Sequence, residues 1–209
     1  MTEAQTPGIC AIITERSTEG IFSDIARVTV AAGTLTAEGK AEDFMQIISD
    51  TQVTKYGYDL KLQRNLFAHA GIRLEGTLMD IELMHYLINP EKTHKVEILA
   101  KTYLDVNLEE NEDAQETVET LSLFDEIPED DTKPSKAKEA AVIFLLGEAV
   151  WKDMEANGVQ TLYMDMEEPL LKVLSDMEME GVRIDLAQLR KYSSALTVEM
   201  NEIQERVRE

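Results

Sequence analysis

From Asp105 to Asp131 the chain carries twelve acidic residues and no basic one. Like charges at that density repel, and too few apolar side chains stand among them to offset the entropy of ordering the segment. With Pro128 and Pro134 added, residues 105–135 read as a mobile acidic loop rather than packed structure. The sequence that can build a core therefore lies on either side of it.

The first side alternates strand and helix signals. Ile9 to Thr14, Ala26 to Ala32 and Val53 to Tyr56 are apolar or β-branched runs of strand length. Between them Glu42 to Ser49 sets Phe44, Ile47 and Ile48 at helical spacing. Asp59 can cap a helix carrying Leu62, Leu66, Phe67 and Ala70 up to Gly71, and Asp80 can cap one carrying Leu83, Met84, Leu87 and Ile88. Asn89-Pro90 ends the latter, since proline disfavours helix in the residue before it. Val96, Leu99, Ala100 and Tyr103 form a last short stripe. Strands followed by strand and helix in alternation predict an α/β fold with a mixed sheet flanked by helices.

The second side is helical. Lys136 to Asn157 places Ala140, Phe144, Gly147 and Trp151 on one side, and Gly158 supplies a stop. Leu170, Val173, Leu174 and Met177 follow Pro169 up to Gly181, and Leu189, Tyr192, Leu196, Ile203 and Val207 follow Asp185. The boundary drawn from this pattern puts residues 1–158 in one domain and 159–209 in a helical segment. The last helix stops in mid-pattern at Glu209, which predicts a truncated fragment whose final stripe packs on something beyond it.

With 209 residues, 44% of them apolar, the chain can bury one ordinary core and begin a second. Its longest apolar run, Ala140 to Leu146, is far short of the roughly 20 residues needed to span a bilayer. The start, Met1-Thr2-Glu3-Ala4-Gln5, lacks a signal-peptide pattern, and the single Cys10 has no partner for an internal disulfide. These features predict a reducing, cytoplasmic setting without a membrane partner. A net charge of −21 argues against this piece alone binding nucleic acid strongly, because affinity for phosphate comes largely from Lys and Arg.

Two blocks carry a family resemblance. The first is Lys55-Tyr56-Gly57-Tyr58-Asp59-Leu60-Lys61, continuing through Gly71-Ile72-Arg73-Leu74-Glu75-Gly76 to the helix from Asp80 to Asn89-Pro90. The second is Glu168-Pro169-Leu170, Val173-Leu174, Met177-Glu178 and Gly181-Val182-Arg183-Ile184-Asp185. In order and spacing the first resembles the proofreading 3′ to 5′ exonuclease domain of bacterial, family A, DNA polymerase I. The second resembles the passage from that domain into the polymerase region, where the thumb begins. The resemblance runs from about Ile9 to Glu209 with the acidic stretch unmatched, and implies an RNase H-like exonuclease fold followed by C-terminal helices. It also implies a parent that extends DNA in replication and repair, with Mg²⁺ as the parent's cofactor, and DNA and the rest of the polymerase chain as partners. No cofactor is expected for the residues present here.

Proofreading by this family needs two divalent ions about 4 Å apart, held by carboxylates from separate elements. The resemblance places those ligands at Ile13 and Glu15 on the first strand, Gln63 after Gly57, and Ala140 on the late helix, with Lys136 where a water-orienting tyrosine belongs. Only Glu15 is a carboxylate. Glu139 is one position off, about 100° around the helix. Two readings follow: a catalytically silent scaffold, favoured by the three lost ligands, and a weak exonuclease using Glu15 with Asp59 or Asp80. His69, His85 and His94 share no metal-binding spacing and read as single packing or surface residues. Methionines such as Met154, Met164, Met166 and Met177 suit adaptable filling.

Inside the acidic stretch, Thr120-Leu121-Ser122-Leu123-Phe124 resembles the bacterial sliding-clamp-binding pentapeptide, with Thr120 in place of the usual Gln. A clamp pocket could bury Leu123 and Phe124, at about 1.5–3 kcal/mol each before ordering costs. The other reading, that these apolar residues fold back onto the parent domain, weighs about twice as much, because short motifs match by chance.

Overall fold

The computed structural model describes residues 8–33, 35–108 and 136–208. Most of the acidic loop, with Thr120 to Phe124, lies outside the described residues. Five strands form one sheet: β1 (Ile9–Arg16), β2 (Ile25–Ala32), β3 (Leu35–Gly39), β4 (Thr54–Gly57) and β5 (Leu78–Asp80). Their order is β3-β2-β1-β4-β5. The first three are antiparallel neighbours, while β4 and β5 run parallel to β1. This is the mixed sheet the alternating pattern predicts.

Because successive strand residues point to opposite faces, β1 feeds two cores at once. Ala11 and Ile13 enter one apolar cluster and Cys10 and Ile12 the other. The helices sort accordingly. On the first face lie α3 (Ile81–Ile88), α4 (Val96–Leu104) and the long α5 (Ala137–Asn157), through Met84, Leu99, Ile143 and Leu146. On the second, Leu60 and Phe67 of α2 (Leu60–His69) join Ile48 of the short α1 (Met45–Ile48). Between β3 and α1 the predicted helix is split, its first turn, Ala41–Phe44, being 3-10.

Helix α5 crosses β1 to β4 at close range, and Gly147 makes this approach possible. A Cβ there would fall 2.3 Å from the Tyr56 ring. Beyond α5 come a short turn, α6 (Gln160–Leu162), a π-helical turn at Tyr163–Glu167, and α7 (Glu168–Glu180).

The chain divides into two compact units, the first ending at Met179 and the second covering Glu180–Glu209. The first therefore runs past the boundary drawn after Gly158. The reason lies in Tyr163, Glu168, Leu171 and Ser175, all buried in the first unit. The expected stripe of Leu170, Val173, Leu174 and Met177 stays exposed instead. The second unit is built around one helix, α8 (Leu186–Arg208), capped by Asp185, whose Oδ1 accepts from the N–H groups of Ala187 and Gln188. Among the described residues no helix is long and apolar enough to cross a membrane.

Candidate functional site

The side chains at the ligand positions that the resemblance implies come from β1, α2 and α5. Ile13 and Ala140 belong to one apolar cluster with Ala11, Ala31 and Met79, and Ala140 is fully buried. Two residues beyond Ile13 and on the same face, Glu15 stands opposite Arg27 in the antiparallel ladder. The guanidinium of Arg27 lies 3.8 Å from Glu15 Oε2 and 3.2 Å from Glu38 Oε2. Arg27 on β2 thus faces a carboxylate on each neighbouring strand. At the start of α5, Lys136 is paired with Glu139.

Strand β4 enters α2 through Gly57, where a Cβ would meet Leu60 Cδ2 at 2.4 Å. Asp59 then takes a left-handed conformation, φ 50°, and its carboxylate accepts from Leu62 N–H. That turn carries Gln63 inward. Its Nε2 donates to the Tyr58 carbonyl at 2.9 Å, and its buried Oε1 has no hydrogen-bond partner.

Asp80 caps α3 as expected, but it does more. Its Oδ1 accepts from Glu82 and Leu83 N–H, and its Oδ2 accepts from Leu60 N–H at 2.6 Å, tying the starts of α2 and α3 together. Burial pushes this carboxyl up to about 7, against the pull of the Leu60 and Leu83 N–H groups. Register places Asp80 well away from Glu15. Tyr56 pairs with Ala11 and Gly57 with Asp80. Asp80 is therefore two strands over and three residues back from Glu15, about 14 Å by ordinary strand spacing and rise.

A polar network beside Asp80 went unforeseen. Tyr163 Oη accepts from Asp80 N–H at 2.7 Å and donates to Leu78 C=O at 2.8 Å. Glu168 Oε1 accepts from Leu78 N–H and pairs with Lys172, which also donates to Gly76 C=O. From α2, Arg64 donates to Ser175 and Asp176, Asn65 accepts from Ser175, and Lys61 and Asn65 hold Glu178. The sequence signal available was the mix of Glu168 and Ser175 between apolar residues of one helix. The histidines also differ from expectation. His69 is exposed and meets the Phe22 ring edge-on, but His85 and His94 meet, Nδ1 to Nδ1, at 2.7 Å.

Residues 20–114 match the family model described as DNA polymerase I, ribonuclease H-like domain. The chain is similar to DNA polymerase I of Bacillus subtilis, 26% identical over 172 residues, covering 81% of this chain and 19% of that protein. It thus spans about a fifth of the length of the curated relatives it matches. Among solved structures, the Pol domain of Mycobacterium smegmatis Pol1, in complex with DNA primer-template and dNTP, superposes with a TM-score of 0.68 at 18% identity, covering 92% of this chain and 32% of that one. Brucella melitensis NrnC gives 0.64 at 17% identity, covering 85% and 87%. Residues 20–114 thus form a ribonuclease H-like domain of the DNA polymerase I type, and the chain around them is similar to the exonuclease-like region of bacterial DNA polymerase I.

Proposed function

We propose that this region is an exonuclease-like scaffold of a DNA-directed DNA polymerase and performs no two-metal hydrolysis of its own. The observation that supports the reading is the shared apolar cluster of Ile13 and Ala140. Two ions held close together need carboxylate oxygens there, and a hydrocarbon surface would leave each ion's charge uncompensated. The remaining groups fit an ion no better. Gln63 brings a neutral amide whose nitrogen is bonded to Tyr58, and Glu15 already faces the Arg27 cation. The residues present therefore do not suit the family's Mg²⁺ pair.

The competing assignment, a weak exonuclease using Glu15 with Asp59 or Asp80, asks more of the geometry. Asp80 has both oxygens bonded to backbone N–H groups, and Asp59 is the cap of α2. In the scaffold reading, DNA synthesis, Mg²⁺ and primer-template contact belong to the rest of the polymerase chain.

The test is to incubate the chain with 5′-labelled single-stranded DNA and Mg²⁺ or Mn²⁺. No shortening is expected. Shortening that vanishes in Glu15→Ala would overturn the scaffold and restore the weak exonuclease.

A further inference from the structure

His85 and His94 lie nine residues apart and across the turn at Asn89-Pro90, yet their Nδ1 atoms are 2.7 Å from each other. The rings meet edge to face with centroids 4.9 Å apart. At that separation only one proton fits between the two nitrogens, so one ring donates and the other presents its lone pair. His85 is buried, and its own burial, with His94 and Lys92 nearby, pushes its protonation below the usual histidine range. The accepting ring thus holds a lone pair on Nδ1, the form in which imidazole binds metals.

Beside the pair opens a cleft of about 380 Å³, lined by His85, Asn89, Lys92, Thr93, Tyr103 and Asp153 among others. Asp153 accepts from Tyr103 Oη at 2.6 Å and places a carboxylate near His85. The pair lies on α3 and the α3–α4 loop, facing the C-terminal half of α5. Ala140, at the family's ligand position, sits at the other end of that helix.

We propose that His85 and His94 form a binding site for a borderline divalent transition ion such as Zn²⁺, Ni²⁺ or Cu²⁺. A tetrahedral ion with Zn–N bonds of about 2.0–2.1 Å spaces two nitrogens about 3.3 Å apart, so the rings must part by about 0.6 Å and turn until their lone pairs converge. The donating ring changes tautomer, its proton moving from Nδ1 to Nε2, which frees both Nδ1 lone pairs for the ion. Among the described residues no group of three or more His, Cys, Asp or Glu could hold a metal. The ion consequently takes two protein nitrogens and fills its other positions with water from the cleft. Imidazole ligands select against Mg²⁺ and Ca²⁺, which need oxygen donors. Lys92 on the rim opposes a cation, but it is exposed and its flexible stem can carry the charge into solvent.

The experiment is titration of the 209-residue chain with ZnCl₂, read by long-range ¹H–¹⁵N correlation of the imidazoles and by competition with a zinc-sensitive dye. The expected result is one equivalent bound with His85 and His94 Nδ1 signals shifting together, His69 unmoved, and no response to MgCl₂. Loss of an outer-shell partner alone costs about 10- to 100-fold in metal affinity, so His94→Ala should cost at least about tenfold. His69→Ala should cost nothing. The half-buried His94 is the variant of choice, and circular dichroism confirms that it folds. Unshifted His85 and His94 signals in the parent chain with excess ZnCl₂, or unchanged affinity in folded His94→Ala, would overturn the site.

Discussion

Asp80 shows how a single residue can be legible in one role and hidden in another. Its capping of α3 depends on neighbours two and three residues along, which the sequence displays. Its bond to Leu60 N–H depends on β4 and β5 being adjacent, which it does not. The same limit explains Arg27 beside Glu15, which needs strand register, and His94 beside His85, which needs the path of a turn. The buried carboxyl has a measurable consequence. Its folded pKa of about 7 lies above the ordinary value of 3.8, so the folded state holds the proton more tightly. Asp80 then supports folding most fully below about pH 4, and that support is lost as pH rises through 7. At about 1.4 kcal/mol per unit the whole effect is at most on the order of 4 kcal/mol. Asp80→Asn cannot titrate, and it also loses the acceptor facing Leu60, a constant cost. Urea unfolding from pH 4.5 to 8 should show the stability difference between variant and parent moving in the variant's favour as pH rises. A difference that stays flat would mean that Asp80 ionises normally.

At the scale of elements, periodicity located the long helices because their apolar residues recur over many turns. It missed β3 and β5, strands of five and three residues, which are too short to carry a pattern. It also chose the wrong face of α7. Apolar spacing pointed to Leu170, Val173, Leu174 and Met177, whereas the buried face holds Glu168, Leu171 and Ser175. The partner of that face explains the inversion. Strand β5 is the edge of the sheet, and Glu168 and Tyr163 bond its unpaired Leu78 and Asp80 backbone groups. An edge covered by a helix requires polar side chains at the contact, and hydrophobic periodicity is blind to them. Gly147 is the converse case, a residue whose spacing on the apolar side of α5 was visible and whose reason was not. Alanine within a helix ordinarily gains about 1 kcal/mol over glycine. Here its Cβ would strike Tyr56 Cγ and Cδ1 at 2.3 Å, so either the ring or the helix must move. Overpacking of this kind costs about 1–3 kcal/mol. Gly147→Ala should therefore lower the urea midpoint, and a raised midpoint would show that α5 sits further from the sheet.

For the molecule as a whole, fold class and family were legible, because two separated blocks fall in the right order and the strand and helix pattern permits one main architecture. The assignment of metal-ligand positions to Ile13, Glu15, Gln63 and Ala140 rests on that resemblance alone. Nothing in composition marks Ile13 as other than a core residue. Charge was legible without any structure, and it bears on how this region meets DNA. Residues 109–131 hold eleven of the 41 acidic side chains and no basic one. Changing those eleven to Asn or Gln keeps the length and the Leu121 to Phe124 sequence while taking the net charge from −21 to −10. If the acidic stretch keeps this piece off nucleic acid, the neutralised chain should bind fluorescent single-stranded DNA several-fold more tightly at low ionic strength. Because charges separated by more than a Debye length of about 8 Å are screened at physiological salt, the gain should shrink steadily as salt is added. Fluorescence anisotropy between 20 and 500 mM NaCl, roughly spanning the screening range, reads both effects. A gain that persists at high salt would point instead to a contact surface uncovered by the substitutions. No gain at any salt would mean that the charge of this stretch is not felt where DNA approaches.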